Sequence, residues 1–148
     1  MSTIKVDTYL TRGGASEIAI DKLKGASSAG SMTVVGEGGS TTTNLQQSLV
    51  KGWYNLDGTG TIGMNDSFNM TSTTDHGTGE YTCSFTNDMS NATYAYGMGE
   101  VSNVAGNAAH RHGSNGVATG TFRTRVKDSS NGAIDLGPLC VLICGDLA

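Results

Sequence analysis

The chain is poor in charge of either sign and has no basic run. Charged side chains are only 15% of its 148 residues, the formal net charge is -4, and nine Lys and Arg are scattered from Lys5 to Lys127. A polyanion therefore finds no electrostatic footing, and nucleic acid is not an expected partner. Long apolar runs are missing too. The longest, Leu139 to Cys144, is six residues, against the roughly 20 that a membrane helix needs. The opening MSTIKVDTYL carries Lys5 and Asp7 where a secretory signal needs an apolar core, so no cleavable address is expected. Cysteine is scarce: Cys83, Cys140 and Cys144 form no C-x-x-C. On a strand, Cys140 and Cys144 would share one face roughly 13 Å apart, too far to bond, and buried reduced thiols are the expectation for all three.

Gly, Ser, Thr and Asn fill close to half of the sequence, while proline occurs once, as Pro138. Thr and aromatics suit a pleated sheet, and Gly and Asn supply turns that need positive φ, so the composition points to an all-β fold. Ile4, Val6, Thr8 and Leu10 alternate, Arg12-Gly13-Gly14 reads as a turn, and Ile18 and Ile20 alternate again. Residues 25–43 read as a Gly/Ser/Thr-rich linker in which only MTVV suits a strand. Leu45, Leu49 and Trp53 recur at helical spacing behind Thr43 or Asn44, which predicts one short helix.

Beyond Trp53 the period becomes two. Phe68 and Met70 fall on one face of a strand, DHGTG reads as a turn, and Tyr81, Cys83 and Phe85 line the returning strand. Further strands are expected at Thr93–Tyr96, Ala118–Val126, Ala133–Leu136 and Leu139–Cys144. Short strands at such spacing predict a small β-sandwich or jelly-roll-like body.

Motifs with chemical meaning read weakly in this context. Gly58 to Gly63, GTGTIG, fits the G-x-G-x-x-G dinucleotide fingerprint, but the MNDSFNMTSTT that follows has no helical period, so the glycines read as turn residues. On a strand His110 and His112 would face the same way, close enough to share a metal with a third ligand, and in a symmetric trimer they could meet at the axis to bind an ion or respond to pH; their setting, GNAAHRHGSNG, reads as a loop of surface histidines. No G-x-S-x-G and no calcium loop are present. Asp57, Asp66, Asp75 and Glu80 lie beside glycines, where Asp commonly closes Asx turns; a carboxylate pair cutting surface polysaccharide is the enzymatic rival, testable at Asp66 and Asp75. The sequons at Asn65, Asn69 and Asn91 are no more than this composition supplies by chance.

The opening MSTIKVDT, the block from Leu49 to Tyr96 and the closing GDLA together resemble a group of marine tailed-phage virion structural proteins, described as tail-fibre-like or knob-like. The shared pattern is K-x-W, G-T-G-T, D-S-F-N, D-x-G-T-G-x-Y and F-x-N-x-M. Lys51, Trp53, Gly58 to Thr61, Asp66 to Asn69, Asp75, Gly77 to Gly79, Tyr81, Phe85, Asn87 and Met89 stand at the matching positions, while Cys144 replaces a usual aromatic and Gly97 to Gly120 has no counterpart. The resemblance covers about half the chain. It implies a non-enzymatic virion protein, without cofactor or metal, displayed on the particle exterior as a knob, decoration or short fibre-like component. It further implies other virion proteins of the capsid or tail as partners, and a homotrimer.

On this reading residues 1–24 form an attachment arm or hairpin, 25–43 a linker and 44–148 the sandwich. Ile4, Val6, Ile18 and Ile20 are the expected arm contacts, since alternating apolar side chains without a body to cover must find a partner surface. Trp53, Phe68, Tyr81, Phe85 and Phe122 are the expected core. The alternative is a host receptor-binding module that recognises a surface glycan or protein through loops around Tyr94 to His112.

Overall fold

The computed structural model describes residue 13 and residues 22–25, 31–100, 109–128 and 130–148. The expected arm contacts Ile4, Val6, Ile18 and Ile20 lie outside the described residues.

The stretch expected to be linker contains a small hairpin, β1 (Thr33–Val35) against β2 (Thr42–Asn44), with Val34 opposite Thr43. Gly39, at φ 76°, takes the left-handed turn that closes it. The predicted helix shrinks to one turn, α1 (Leu45–Ser48), capped by the Asn44 Oδ1, which accepts from the Gln46 and Gln47 amides at 2.9 and 3.1 Å. Leu49 is already extended and β3 (Val50–Asp57) follows. The helical spacing of Leu45, Leu49 and Trp53 loses because a helix there buries nothing, whereas a strand through VKGWYNLD buries Tyr54 and Leu56 to 1% and 0% exposure. Each such side chain contributes roughly 1.5–3 kcal/mol, far above a propensity difference.

Two four-stranded antiparallel sheets make the body, a β-sandwich. The first runs β4 (Gly63–Phe68), β3, β10 (Leu139–Cys144), β7 (Ala95–Glu100). The second runs β5 (Met70–Asp75), β6 (Glu80–Phe85), β9 (Thr121–Lys127), β8 (Ala109–Val117). Central strands alternate strictly. Tyr54 and Leu56 of β3 and Leu139, Val141 and Ile143 of β10 face Tyr81, Cys83 and Phe85 of β6 and Phe122, Thr124 and Val126 of β9. Tyr94 and Tyr96 close one side: Tyr96 meets Phe122 edge-on at 4.9 Å between centroids, and Tyr94 meets Phe85 at 5.9 Å. Of the other expected strands, Ala133–Leu136 contributes only the Lys127–Ala133 bridge. His110 and His112 stand on β8, opposite Val126 and Thr124, rather than in a loop.

One correction reorganises the central hairpin. Phe68 and Met70 do not share a strand. Asn69, at φ 59°, turns the chain from the first sheet into the second, so Phe68 ends β4 and Met70 begins β5. The Asn69 Nδ2 donates to the carbonyls of Lys51 and Asn87 (2.9 and 3.0 Å), and its Oδ1 accepts from the Asn87 amide at 2.8 Å. Asparagine tolerates left-handed backbone, and here its side chain replaces the ladder that both strands lose at the corner. The expected hairpin turn does form between β5 and β6: the Glu80 amide donates to the Gly77 carbonyl at 3.0 Å, with Gly77 and Gly79 at positive φ.

Candidate functional site

The outer face of the first sheet carries an apolar row, and strand register explains why. Because Tyr54 and Leu56 point inward, Trp53 points outward; because Leu139, Val141 and Ile143 point inward, Leu142 and both flanking cysteines point outward. Cross-strand pairing aligns Phe68, Trp53, Leu142 and Gly97 in one row across all four strands. Phe68 is 53% exposed and Leu142 46%. The next row is Asp66, Asn55, Cys140 and Gly99. On β7 the inward positions are Tyr96 and Met98, so its outward positions are Ala95, Gly97 and Gly99. A Cβ built on either glycine meets nothing within 4 Å. The result is an aromatic ridge beside a trough without side chains, a hollow of about 400 Å³. Asn55 is the one amide in it, and its Oδ1 already accepts from Asn65 at 3.0 Å.

Polar groups elsewhere are committed to the fold. The Asp57 Oδ1 accepts from the Thr59 amide and hydroxyl (2.9 and 2.6 Å), which holds that carboxyl below its usual range. These bonds close the GTGTIG turn between β3 and β4, which enters a strand, not a helix. Asp75 closes the next turn on the Gly77 amide and Asp128 the one on Ser130 and Gly132. Asp135 receives the Tyr81 hydroxyl at 2.6 Å and the Gly79 amide at 2.7 Å; burial first, and this carboxylate second, push the Tyr81 phenol up. Gly79 sits at φ 70° with its missing Cβ 2.6 Å from two carbonyl oxygens, so no other residue fits there. A larger polar hollow of about 740 Å³ lies between α1 and the C-terminal residues, where Gln47 donates to Asp146 at 3.3 Å and Lys51 to the Gln46 carbonyl. Among the described residues no three His, Cys, Asp or Glu side chains converge on a point fit for a metal ion.

Of the five expected core residues, Tyr81, Phe85 and Phe122 are buried. Trp53 and Phe68 are corrected to the outer face, Trp53 because its neighbour Tyr54 takes the inward position and Phe68 because the chain changes sheet after it. Tyr94, expected to be an exposed recognition aromatic, is 8% exposed, with its hydroxyl donating to the Ala118 carbonyl at 3.1 Å. Cys83 is buried and its thiol is pushed up to about 12 by desolvation, whereas Cys140 and Cys144 are half-exposed on the outer face. Sequence reasoning misses Leu142, Gly97 and Gly99. The signal for Leu142 lies in LCVLIC, where an uninterrupted apolar run on a strand of a two-layer sandwich puts half of its side chains outside.

No family model matches this chain, and neither a curated protein nor a solved structure matches it.

Proposed function

We propose that this chain is a non-enzymatic structural protein of a bacteriophage virion, displayed on the particle exterior and anchored there through its N-terminal residues. The observation that carries the reading is where the phage-like motif residues fall. Lys51 and Asn87 hold the Asn69 corner, Asp75 and Gly77 close the β5–β6 turn, Gly79 and Tyr81 donate to Asp135 with the Gly58 carbonyl also facing the Tyr81 hydroxyl, and Met89 bridges to Leu147 of the terminal GDLA. These are scaffold contacts, while Trp53, Asp66 and Phe68 of the same motif face outward from the first sheet. Most of the motif thus supports the architecture, which fits a displayed body better than a reaction centre. Of the carboxylates that an enzymatic reading would recruit, Asp57 and Asp75 are held in Asx turns, Glu80 is paired with Arg123 and Arg125, and Asp66 is exposed and accepts from the Ser67 amide at 2.8 Å.

Imaging of intact particles from a phage that encodes the chain, with the protein tagged at Ala148, tests the reading. Density for the tag on the outer surface of capsid or tail is expected, together with loss of the protein from particles when residues 1–24 are deleted. Purified particles without the protein, or a tag found inside the capsid, would overturn it. Cleavage of host glycan by the purified chain, abolished by Asp66→Asn or Asp75→Asn, would replace it with the enzymatic reading.

A further inference from the structure

The outer face of the second sheet carries a line of positive charge that alternation hides in the sequence, and we infer that an acidic polysaccharide binds there. Such binding goes beyond the virion reading and does not rest on it. In TFRTRVK the pleat sends Phe122, Thr124 and Val126 into the core and sets Arg123, Arg125 and Lys127 along one outer line, about 6.6 Å apart. The ladder places Arg111 of β8 directly opposite Arg125 on one side and Glu80 of β6 on the other. Glu80 is the only carboxylate at the outward positions of β6 and β9; Asp75, opposite Tyr81, falls on the inner side of the pleat. The cations scattered along the sequence predict no footing for a polyanion, yet the fold collects these on one face of a chain whose net charge is -4.

Folding alone does not call for this arrangement. Water requires only polar groups on an outer face, whereas like charges directly opposite in a ladder destabilise a sheet. One Glu80 oxygen meets the Nε of Arg123 at 3.0 Å and that of Arg125 at 2.6 Å, so a single negative charge serves two guanidinium groups. The Lys127 ammonium donates to the neutral Asn131 carbonyl, and two positive charges stay uncompensated. Among the described residues the terminal amines of both arginines donate to nothing, which leaves two planar forks for the oxygens of a carboxylate or sulfate.

Beside this line the face is a field of hydroxyls: Thr82 and Ser84 at outward positions of β6, with Thr74 and Ser72 opposite them on β5. A polymer that brings anionic groups together with hydroxyl groups meets its complement on both halves. Nucleic acid does not. Single strands want aromatic stacking platforms and duplexes want a helix or ribbon that enters a groove, and the face offers neither. A protein partner would need an apolar anchor at the centre, and no outward residue of β6 or β9 is apolar.

Biolayer interferometry of the full chain at pH 7 on immobilised chondroitin sulfate, which carries a carboxylate and a sulfate in each repeat, tests this. Saturable binding is expected at about 50 mM salt, weakening about tenfold or more by about 200 mM as counterions return. Arg123→Gln combined with Arg125→Gln should weaken it by about tenfold. Lys22→Gln combined with Lys24→Gln makes the same change in net charge at exposed positions outside both sheets, and should leave binding unchanged. Since a loosened sheet would mimic the loss from the arginine variant, Ser84→Lys is the second test: it adds a cation beside the line and should tighten binding about threefold. No binding to chondroitin sulfate, an equal loss in the Lys22 and Lys24 variant, or no gain from Ser84→Lys would each overturn the proposal. So would tighter binding to duplex DNA or to phosphatidylserine vesicles than to chondroitin sulfate, which would give the arginines to phosphate.

Discussion

The two sheets solve the same problem inward and opposite problems outward. Both turn large apolar side chains to a shared core: Tyr54, Leu56 and Val141 on one side, Tyr81, Phe85 and Phe122 on the other. Outward, the first sheet shows Phe68, Trp53, Leu142 and bare glycine, while the second shows Thr82, Ser84, Arg123 and Arg125, with Glu80 between the arginines at 3.0 and 2.6 Å. The core dictates the inward set, and nothing about folding dictates the outward one. Among the described residues, an apolar row on one outer face costs solubility without stabilising the lone subunit, and it is the difference between the two sheets that the core does not account for.

Paired substitutions of one residue type sharpen that contrast most. Phe122 is fully buried between the sheets, so Phe122→Ala should lower stability by about 3–5 kcal/mol in urea unfolding. Phe68→Ala, on the outer face, should cost about 0.5 kcal/mol or less under conditions where the chain is monomeric. A large loss from Phe68→Ala in the monomer would mean that the face stabilises its own subunit, and the contrast would break.

The next effect lies at the corner that separates the sheets. Asn69→Ala removes the side chain that replaces the ladder and leaves a non-glycine residue at φ 59°, and a loss of about 2–3 kcal/mol is expected from hydrogen bonds worth roughly 1 kcal/mol each plus backbone strain. Asn69→Gly removes the bonds but not the permitted conformation, so it should recover about 1 kcal/mol of that loss. Equal losses in the two variants would show that the conformation carries no cost there.

That corner also marks the limit of what could be read from the residues. Alternation in EYTCSF, TFRTRVK and LCVLIC names β6, β9 and β10 and their inward faces, because each has an unambiguous period of two with large apolar side chains in step. Around Asn69 the period continues unbroken through SFNMTS, so pattern alone joins Phe68 to Met70. Only the positive φ and the long-range bond to Asn87 separate them. Trp53 failed for a related reason: KGWYNL holds adjacent aromatics, and which one turns inward depends on which partner, Val141 or Leu142, points inward from β10. The trough was harder still, since Gly97 and Gly99 are defined by what they lack and gain meaning only beside Leu142 and Trp53.

Ionisation offers a gentler probe of the inner face. Burial pushes up the phenols of Tyr54 and Tyr81, and that of Tyr94 to about 12; the Tyr54 hydroxyl faces Thr124 and Cys83 without completing a hydrogen bond. A phenol with a raised folded value binds its proton more tightly in the folded state, so its contribution is complete below the unfolded value near 10 and is lost as pH rises beyond it. Stability should be flat through neutral pH with respect to these groups and fall between about pH 10 and 12. Tyr94→Phe should shift that alkaline limb upward, read as the midpoint of unfolding against pH. An unchanged limb would show that Tyr94 does not supply it.

The smallest effect is expected on the polar outer face, where Glu80 sits between Arg123 and Arg125. The hydrogen bond from Arg125 holds the Glu80 carboxyl below its ordinary range, with the charges of Arg123 and Arg125 adding to it and partial burial opposing. A depressed folded value means stability that is present above the unfolded value near 4.3 and disappears as pH falls through the folded one. Glu80→Gln should therefore leave the melting temperature at pH 7 lower by a few degrees at most, because water and salt screen a pair whose arginines are 29% and 43% exposed. As pH falls through the lowered folded value the difference between variant and wild type should shrink, since the wild-type carboxyl then becomes neutral as well. If the difference at pH 7 matched that of Phe122→Ala, the polar face would be as structural as the core.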